Sequence, residues 1–471
     1  MQFLIYLFIV FIISSSWAFQ NPLAENQINQ LISENNGFWG ISFTDAETGE
    51  SLIQVNAKKR LMPASNLKLL TSAAILNQLG PDFYYETKIY GEGKLSSDDV
   101  WKGNLYIVGT GDPSMDGKFT AGNRFFAFEN LVNQLNFKNI EGNLIANDAY
   151  FDLQSLPLGW SWDDLSYYYA PEINALSFND NCIDLKVSTK AGKPQITWFP
   201  FNTDFVSFIN LQSSGAAEFK EFYRRLAGTN LIMLKSQLPK NYTEQESLTI
   251  TLPSLYFIDT FAKYLKTKNI GFNGELLLDH ENKDWSNYKL LAVHRSPPLS
   301  ELIKEINKHS NNFYTEMLLK TAAVHKYKTQ GSTELGLEMV KDFAAEMGFD
   351  RQKLVLSDGS GLAYKNLISA GEMSEFLARM RQHKYFAVFE DSLSIAGHDG
   401  SLENRFANSV LKNKIKGKSG YISGSRALSG YLQTSHGRLL SFSIIANHYT
   451  ESNAQIDALQ REMLEIAYKS F

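Results

Sequence analysis

The stretch MPASNLKLLTSAAILNQLGP, residues 62–81, constrains the fold of this chain most strongly. Pro63 lies near a helix start and Gly80-Pro81 marks a stop, so the pattern predicts a helix over about 64–79. Apolar side chains occupy nearly every face of that helix: Leu67, Leu69, Leu70, Ala73, Ala74, Ile75, Leu76 and Leu79. A helix that is apolar all round belongs inside a domain, so we expect a core to be built around it.

Lys68 is the only charged residue of this predicted helix. Burying an ammonium group is costly unless the group is paired or its pKa falls until it becomes neutral. One explanation is a side-chain stem that reaches the surface and keeps the charge in water. The other is a general base beside Ser65, which shares the helix face of Lys68 because the two residues are at i and i+3.

The composition excludes several classes of protein. The 471 residues are 44% hydrophobic, which is enough for two or three domains with cores of their own. A net charge of −5 provides no cationic surface for nucleic acid. A phosphate-binding loop needs glycine where this chain has Lys412, and Pro113 interrupts the glycine-rich stretch that begins at Gly109. The sequence therefore predicts no nucleic acid partner, no nucleotide and no cofactor.

The N-terminus has the pattern of a signal peptide. Residues 1–18 place an apolar run before small residues, which predicts cleavage after Ala18 and export to the periplasm. The segment lacks Lys and Arg ahead of the apolar run, so an uncleaved anchor, loose membrane association or secretion stays open. Cys182 is the only cysteine, so no intramolecular disulfide can form, and its place at the start of a predicted strand indicates a buried structural thiol.

The order of predicted elements indicates a domain split by an insertion. A predicted hairpin at 37–56 precedes the buried helix, and two strands followed by an amphipathic helix end the chain. Between them lies a long region of short β-like runs and turns. We therefore predict an α+β fold in which residues 19–85 and 286–471 form one domain and residues 86–285 form a β-rich insertion.

Three weak motifs occur along the chain. Ser-x-x-Lys occurs three times, at Ser65–Lys68, Ser286–Lys289 and Ser409–Lys412. Only Ser65 opens a predicted buried helix, where the positive end of the helix dipole and free backbone N–H groups can stabilise an oxyanion. The Ser-x-Asn matches include 177–179 and 310–312, and Lys-Ser-Gly occurs once, at 418–420. The other two Ser-x-x-Lys matches lie in polar stretches that we predict to be solvated surface.

In chain order, Ser65-x-x-Lys68, Ser310-x-Asn312 and Lys418-Ser419-Gly420 resemble the three motifs of penicillin-recognising serine enzymes. The distance between the first two motifs resembles that of the low-molecular-mass class C penicillin-binding proteins, which carry insertions at this point. These are D-alanyl-D-alanine carboxypeptidase/endopeptidases. The resemblance extends to VGTGDPSM (108–115), LSDGSGL (356–362) and AGHDGSL (396–402). The third motif has serine where threonine is usual, and serine keeps the hydroxyl.

The resemblance implies a β-lactamase/transpeptidase-like domain, an antiparallel sheet with helices, and an acyl-enzyme mechanism that penicillin inhibits. Ser65 attacks the carbonyl of the penultimate D-alanine, and neutral Lys68 takes its proton, because an unassisted alcohol is a poor nucleophile. Ser310 relays a proton to the leaving amine. Asn312 holds the substrate amide and helps to place Lys68.

The same resemblance assigns the third motif to substrate binding. Lys418 and the Ser419 hydroxyl attract the terminal carboxylate of the substrate. Gly420 lets an extended peptide approach the strand edge, and the N–H of Tyr421 joins that of Ser65 in the oxyanion hole. The implied partners are peptidoglycan stem peptides and cross-links, with β-lactam antibiotics as inhibitors.

The insertion contains a candidate specificity site. In WSWDDL, residues 160–165, we hypothesise that Asp163 or Asp164 contacts the free amine of a diaminopimelate side chain, because a cation in a partly desolvated cleft needs a carboxylate. A loop cap or turn explains the same two residues. Trp160 and Trp162 indicate packing within the insertion or a wall of the cleft.

Other functions remain as alternatives. A β-lactamase shares the three motifs, but no E-x-x-L-N pentapeptide of the class A type follows Asn312. A wall-binding module without activity would be expected to have lost one of the motif residues. The histidines include no H-E-x-x-H, so no metal site is predicted, and Asp358–Gly361 is interpreted as a tight turn near the cleft. The balance between carboxypeptidase and endopeptidase activity is left open.

Overall fold

The computed structural model describes residues 22–471 except positions 121, 202 and 221. The predicted signal peptide at 1–18 and its cleavage site lie outside these residues. In the part of the chain that is described, no helix combines the length and apolar character needed to cross a membrane.

Within the described residues the chain forms helices and strands in the following order. The α-helices are α1 Pro22–Ile32, α2 Leu67–Leu79, α3 Phe126–Val132, α4 Pro253–Thr267, α5 Leu299–Asn307, α6 Asn312–Tyr327, α7 Thr333–Glu346, α8 Ala370–Met380, α9 Phe386–Asp391 and α10 Asn453–Ser470. The strands are β1 Phe38–Asp45, β2 Ser51–Val55, β3 Arg60–Leu61, β4 Glu86–Leu95, β5 Val100–Val108, β6 Asn139–Glu141, β7 Leu144–Asn147, β8 Cys182–Lys190, β9 Lys193–Phe199, β10 Ser207–Asn210, β11 Ser213–Ser214, β12 Tyr223–Arg225, β13 Leu231–Leu234, β14 Gln237–Leu238, β15 Thr243–Thr249, β16 Gly271–Phe272, β17 Leu276–Asp279, β18 Lys289–Arg295, β19 Ile368–Ser369, β20 Ser394–Ile395, β21 Ile415–Ile422, β22 Ser425–Gln433 and β23 Leu439–Asn447.

Both ends of the chain build one antiparallel sheet. Its strand order is β2-β1-β23-β22-β21-β20, so the N-terminal hairpin adds to the strands that lie near the C-terminus. The register places Ile41 opposite Ile444, and Lys418 opposite Ser429. One face packs against α1 and α10, and the other packs against α8. The predicted hairpin and the predicted C-terminal strands and helix are confirmed.

The apolar helix lies at the centre of the helical layer, as its sequence predicts. It begins with a turn of 3₁₀-helix over Ala64–Asn66 and continues as α2, in which every residue from Leu67 to Leu76 is buried. Helices α5, α6 and α7 surround it. Burying an all-apolar surface drives this packing, which leaves the N-terminus of α2 facing the third-motif strand β21.

The insertion has a sheet and a core of its own. Strands β16, β6, β5, β4 and β18 follow one another in this sheet, and β7 and β17 extend it. Helices α3 and α4 pack on the same core, which also includes β8 and β15. The predicted boundary at 285 needs correction, because β18, Lys289–Arg295, pairs with β4 and so belongs to the insertion sheet. The two connections to the insertion lie side by side, since Tyr85 N donates to Ser296 Oγ over 2.9 Å.

Candidate active site

Ser65 and Lys68 meet at the start of the buried helix. Lys68 Nζ lies 3.0 Å from Ser65 Oγ, as the spacing of the first motif predicts. The same Nζ donates to Asn312 Oδ1 over 2.5 Å and to the carbonyl oxygen of Ser360 over 2.7 Å. Three oxygens therefore surround the amine. This geometry favours the general-base interpretation of Lys68, because its side chain is fully buried and does not extend to the surface.

Burial makes Lys68 a base that can work near neutral pH. Its pKa falls from 10.5 to about 7, because desolvation disfavours the ammonium form more than the nearby charges of Asp358 and Glu316 favour it. A lysine with this pKa is largely deprotonated just above pH 7, so it can accept the proton of Ser65.

The second motif reaches the same point from the N-terminus of α6. Asn312 is the first residue of that helix, and its Nδ2 donates to the carbonyl oxygen of Tyr169 over 2.7 Å. Its amide therefore connects Lys68 to the insertion. Ser310 lies two residues earlier, lines the same cleft as Ser65 and has a φ of 59°. The structure thus brings together Ser65, Lys68, Ser310 and Asn312.

The third motif lies on β21 beside the turn that carries Ser65. Strand β20 pairs with β21 only at Lys416 and Gly417, so the outer edge of β21 is not covered by β20 from Lys418 onward. Lys418 is fully buried, and its Nζ donates to the carbonyl oxygen of Ser419 over 3.0 Å. Burial and the nearby Lys68 hold the pKa of Lys418 well below its usual value. Ser419 Oγ donates to Ser401 Oγ over 2.9 Å.

Gly420 and Tyr421 occupy different positions relative to the cleft. A Cβ on Gly420 would lie 2.8 Å from the carbonyl oxygen of Pro63 and 3.1 Å from Asn66 N, so glycine lets β21 pack closely on the Ser65 turn. Tyr421 is about half exposed and lines the cleft. Its backbone role in an oxyanion hole stays a prediction.

A buried acidic loop behind Lys68 was missed as part of the site. From its sequence, Asp358–Gly361 is predicted only to be a tight turn near the cleft. Asp358 accepts hydrogen bonds from Trp160 Nε1 at 2.7 Å, Gly361 N at 2.7 Å and Asn366 Nδ2 at 2.8 Å. The resemblance of LSDGSGL to family segments was the available signal, but it gave no contact with Lys68.

Glu316, on α6, is a second missed residue. Its Oε1 accepts the N–H groups of Gly359 at 3.0 Å and Ser360 at 2.7 Å, which directs the Ser360 carbonyl oxygen at Lys68. Burial raises the pKa of Glu316 to about 8, and Asp358 adds to the shift. Glu316 follows Asn312 by one helical turn, but this spacing is too common to have identified it.

A cleft of about 780 Å³ separates the catalytic domain from the insertion. Asp164 lines it and accepts a hydrogen bond from Tyr169 Oη at 3.0 Å, and burial raises the pKa of the Asp164 carboxyl. Asp163 is exposed outside the lining and accepts from Ser161 Oγ. Of the two candidate specificity residues, Asp164 lines the cleft and Asp163 does not. Trp160 packs beside the site, whereas Trp162 is exposed.

The remaining candidates lie away from the chemistry. Ser286 is exposed and bonded to Asp284, and Ser409 donates to Glu465 on the surface, so neither adjoins a buried lysine. Cys182 is buried at the start of β8, as predicted, and burial holds its thiol pKa well above the usual value. Among the described residues no group of His, Cys, Asp and Glu side chains could hold a metal ion.

Comparison with curated proteins finds D-alanyl-D-alanine carboxypeptidases similar to this chain. A D-alanyl-D-alanine carboxypeptidase from Actinomadura sp. (strain R39) is 30% identical over 426 residues, which cover 87% of this chain and 78% of the relative. D-alanyl-D-alanine carboxypeptidase DacB from Haemophilus influenzae is 26% identical over 408 residues, which cover 85% and 83% of the two chains.

Solved structures share the fold. Penicillin binding protein 4 (dacB) from Haemophilus influenzae superposes with a TM-score of 0.83 at 23% identity, covering 94% of this chain and 99% of that one. A predatory peptidoglycan endopeptidase from Bdellovibrio bacteriovorus gives a TM-score of 0.51 at 13% identity, covering 91% and 93%. The model of the family described as D-Ala-D-Ala carboxypeptidase 3 (S13) matches residues 24–468. With these motifs assembled around Ser65, the chain belongs to the D-Ala-D-Ala carboxypeptidase 3 (S13) family.

Proposed function

We propose that this serine D-Ala-D-Ala carboxypeptidase acts through an acyl-enzyme on Ser65, with Lys68 as the base that activates it. The observation that carries the proposal is the 3.0 Å contact between Lys68 Nζ and Ser65 Oγ inside a fully buried setting. Its substrates are peptidoglycan peptides, and β-lactams inhibit it. In the forward step, Ser65 Oγ bonds to the carbonyl carbon of the penultimate D-alanine as its proton moves to Lys68.

The leaving group needs a proton, which the second motif is placed to deliver. Lys68 becomes an ammonium after the attack, and Ser310 lines the same cleft as Ser65. We assign Ser310 to relay a proton to the departing D-alanine amine, after which water hydrolyses the ester and Lys68 serves again as base. Asn312 keeps the Lys68 amine in place through its 2.5 Å contact.

The edge of β21 is the proposed binding site of the substrate. An extended peptide can add to the part of this edge that β20 leaves uncovered, which is the β-augmentation mode of recognition. The terminal carboxylate would restore the charged form of Lys418, whose pKa is lowered by burial and by Lys68 when no anion is present. The Ser419 hydroxyl supports that anion, and the N–H groups of Ser65 and Tyr421 bind the oxyanion.

The protein is also proposed to cleave cross-links and to be exported. A cross-link ending in a D,D-peptide bond presents the same bond to Ser65 as a terminal D-Ala-D-Ala does. A cleft of about 780 Å³ has room for more than a single dipeptide, so we include D,D-endopeptidase activity. Because peptidoglycan lies outside the inner membrane and residues 1–18 have a signal-peptide pattern, we place the mature protein in the periplasm.

Asp164 is the proposed specificity residue for a cationic stem-peptide side chain. Changing Asp164 to Asn should reduce kcat/KM about tenfold on a peptide with a free side-chain amine, because a paired charge is lost in the cleft. Hydrolysis of the same peptide with the amine acetylated should change little. Asp163→Asn is the matched control and should affect neither peptide. Equal losses of Asp164→Asn on both peptides would contradict the assignment.

Penicillin labelling tests the site directly. The full chain should gain one covalent acyl group at Ser65, identified by peptide mass mapping, since the lactam ring mimics D-Ala-D-Ala and its amine stays tethered after opening. Ser65→Ala should abolish the label. Ser286→Ala and Ser409→Ala are controls that keep it, because neither serine adjoins a buried lysine. Label on another serine overturns the assignment, and rapid turnover without a lasting adduct would instead indicate a β-lactamase.

A further inference from the structure

The segment before α6 holds a catalytic serine in an uncommon backbone conformation. Ser310 has a φ of 59°, which few residues other than glycine adopt. Asn311 follows it and caps α6, because its Oδ1 accepts from Tyr314 N over 3.0 Å. The cap uses only the oxygen of the Asn311 amide. Its Nδ2 is therefore free to fix the segment from outside the helix.

The insertion supplies the partner for that Nδ2. Asn311 Nδ2 donates to Asp180 Oδ2 over 3.2 Å, and the same carboxylate oxygen lies 2.5 Å from Lys118 Nζ. Lys118 Nζ is also 3.4 Å from Asp116 Oδ2 and 5.2 Å from the centre of the Tyr314 ring. A chain of polar contacts thus runs from the insertion to the residue between Ser310 and Asn312.

Asp180 is presented by a strained piece of backbone. Asn179, Asp180 and Asn181 have successive φ values of 54°, 50° and 53°. Two side chains of the segment stabilise this backbone conformation. Asn179 Nδ2 donates to the Cys182 carbonyl oxygen over 2.8 Å, and Asn181 Nδ2 donates to the Glu172 carbonyl oxygen over 2.7 Å. Left-handed conformations of residues other than glycine are uncommon, although Asn and Asp adopt them more readily than most, and they cluster where function requires a set geometry.

The charged side chains of Asp116, Lys118 and Asp180, which we call the arm of the insertion, are paired with one another. Asp116 is buried, and desolvation raises its pKa to about 6 although Lys118 opposes the shift. Burial alone would lower the pKa of Lys118, but Asp180 and Asp116 outweigh it and raise that pKa above its ordinary value. Lys118 is therefore charged at neutral pH. Because its charge is already matched by carboxylates, the arm is suited to holding protein groups in place.

We propose that Asp180 of the insertion positions the second motif, because its Oδ2 accepts from Asn311, the residue between Ser310 and Asn312, while Lys118 holds the same oxygen in place. The contact of Asn312 Nδ2 with the Tyr169 carbonyl is a second anchor from the same insertion. The insertion is then part of the catalytic apparatus, since it fixes the residues that hold Lys68 and relay its proton. This inference rests on the proposed function.

The test compares Asp180→Ala with Asp180→Asn in the full chain, on a D-Ala-D-Ala peptide and with penicillin. Asp180→Ala should lower kcat and the penicillin acylation rate about tenfold with KM within about threefold, because misplaced catalytic groups slow the chemical step. Asp180→Asn should stay within about threefold of the wild type, since its amide oxygen still accepts from Asn311. Titration of active sites with penicillin corrects every rate for the folded fraction.

A double-variant comparison isolates the route through Asn311. Asn311→Ser keeps an N-cap oxygen but removes Nδ2, so it should match Asp180→Ala, and combining the two should add no further loss. Asp259→Ala is the matched control. Asp259 Oδ2 lies 2.8 Å from Lys263 Nζ, so this change breaks another ion pair of the insertion. Neither residue lines the cleft, and the change should therefore leave kcat unchanged.

Three results would overturn the inference. A rise in KM at constant kcat in Asp180→Ala would mean that Asp180 contacts substrate. Additive losses for Asp180→Ala and Asn311→Ser would mean that the two residues act separately. Equal losses in Asp180→Asn and Asp180→Ala would remove the hydrogen bond to Asn311 as the cause. Wild-type hydrolysis and acylation report on the proposed function itself, so its failure is seen separately from these outcomes.

Discussion

At the scale of the residue, the proposed mechanism depends on the protonation of Lys68. Burial disfavours the ammonium form of Lys68, whereas the charges of Asp358 and Glu316 favour it. The balance sets its pKa at about 7. In the proposed mechanism the neutral amine is the catalytic form, so the active fraction should fall as the pH drops below this value.

We therefore expect kcat/KM to rise about tenfold per pH unit below pH 7 and to level off above pH 8, because the neutral form of Lys68 is then fully populated. Lys68→Ala should lower kcat/KM by about 10³-fold or more. The measurement is a pH profile of peptide hydrolysis, with the unfolding temperature recorded for both proteins. A rate that does not depend on pH between 5 and 9 would contradict the role of Lys68 as base.

The same pKa has a consequence for stability with a definite sign. Lys68 in the unfolded chain has the ordinary lysine pKa near 10.4, which is above its folded value of about 7. Between these values the unfolded chain binds more protons, so the Lys68 contribution to folding stability rises with pH across this window. The site is thus kept at a cost in stability that is largest at and below neutral pH.

Single-residue patterns identified Ser65 and Lys68 because burial leaves a lone lysine few explanations. They did not identify Glu316 or Asp358, which lie 42 residues apart in sequence and meet only through Gly359 and Ser360. A carboxylate in a helix and an aspartate in a turn are ordinary surface features. Only their burial around the Ser360 carbonyl gives them a role.

At the scale of the element, the Asp358–Gly361 loop and the Ser65 turn are fitted to each other. Gly361 has a φ of 81°, and a Cβ on it would lie 2.0 Å from the carbonyl oxygen of Ala64. Ala64 itself has a φ of 46°. The loop therefore supports the turn that presents Ser65, and there is no room for a side chain between them.

Gly361→Ala should lower the unfolding temperature and reduce the penicillin acylation rate more than tenfold, because backbone must move beside the nucleophile. Gly424→Ala is the matched control, since Gly424 has a similar φ of 73° but no atom within 4 Å of the added Cβ. We expect it to cost about 1 kcal/mol and to leave acylation unchanged. Similar acylation rates in the two variants would show that the close contact with Ala64 is unimportant.

At the scale of the whole molecule, the two ends of the chain stabilise the sheet that carries the third motif. Strand β1 lies between β2 and β23, and α10 packs on the same face as α1. Met463 of α10 is fully buried in this cluster, whereas Glu462 beside it is exposed. The site on β21 should therefore depend on residues far from the cleft.

We expect Met463→Ala to lower the free energy of unfolding by about 2–5 kcal/mol through loss of apolar contact and the cavity left behind. Penicillin binding should be lost on heating at a correspondingly lower temperature, because β21 belongs to the same sheet. Glu462→Ala should change neither quantity. Retention of penicillin binding after the α10 core has melted would refute this coupling.

The sequence by itself determined the family, the α+β class, the buried helix that follows Ser65 and the order of the three motifs. These follow from local rules, since periodicity sets which faces are buried and a buried lysine beside a serine has few uses. The comparisons confirm the family and the carboxypeptidase activity.

Only the tertiary structure decided what surrounds those motifs. It placed β18 in the insertion, separated Asp164 from Asp163, set Glu316 behind Lys68 and joined Asp180 to Asn311. The physical reason is that a buried polar group must find a partner, but many partners along the chain satisfy it equally well. Which one it meets depends on how the catalytic domain and the insertion pack against each other, and no local pattern encodes that packing.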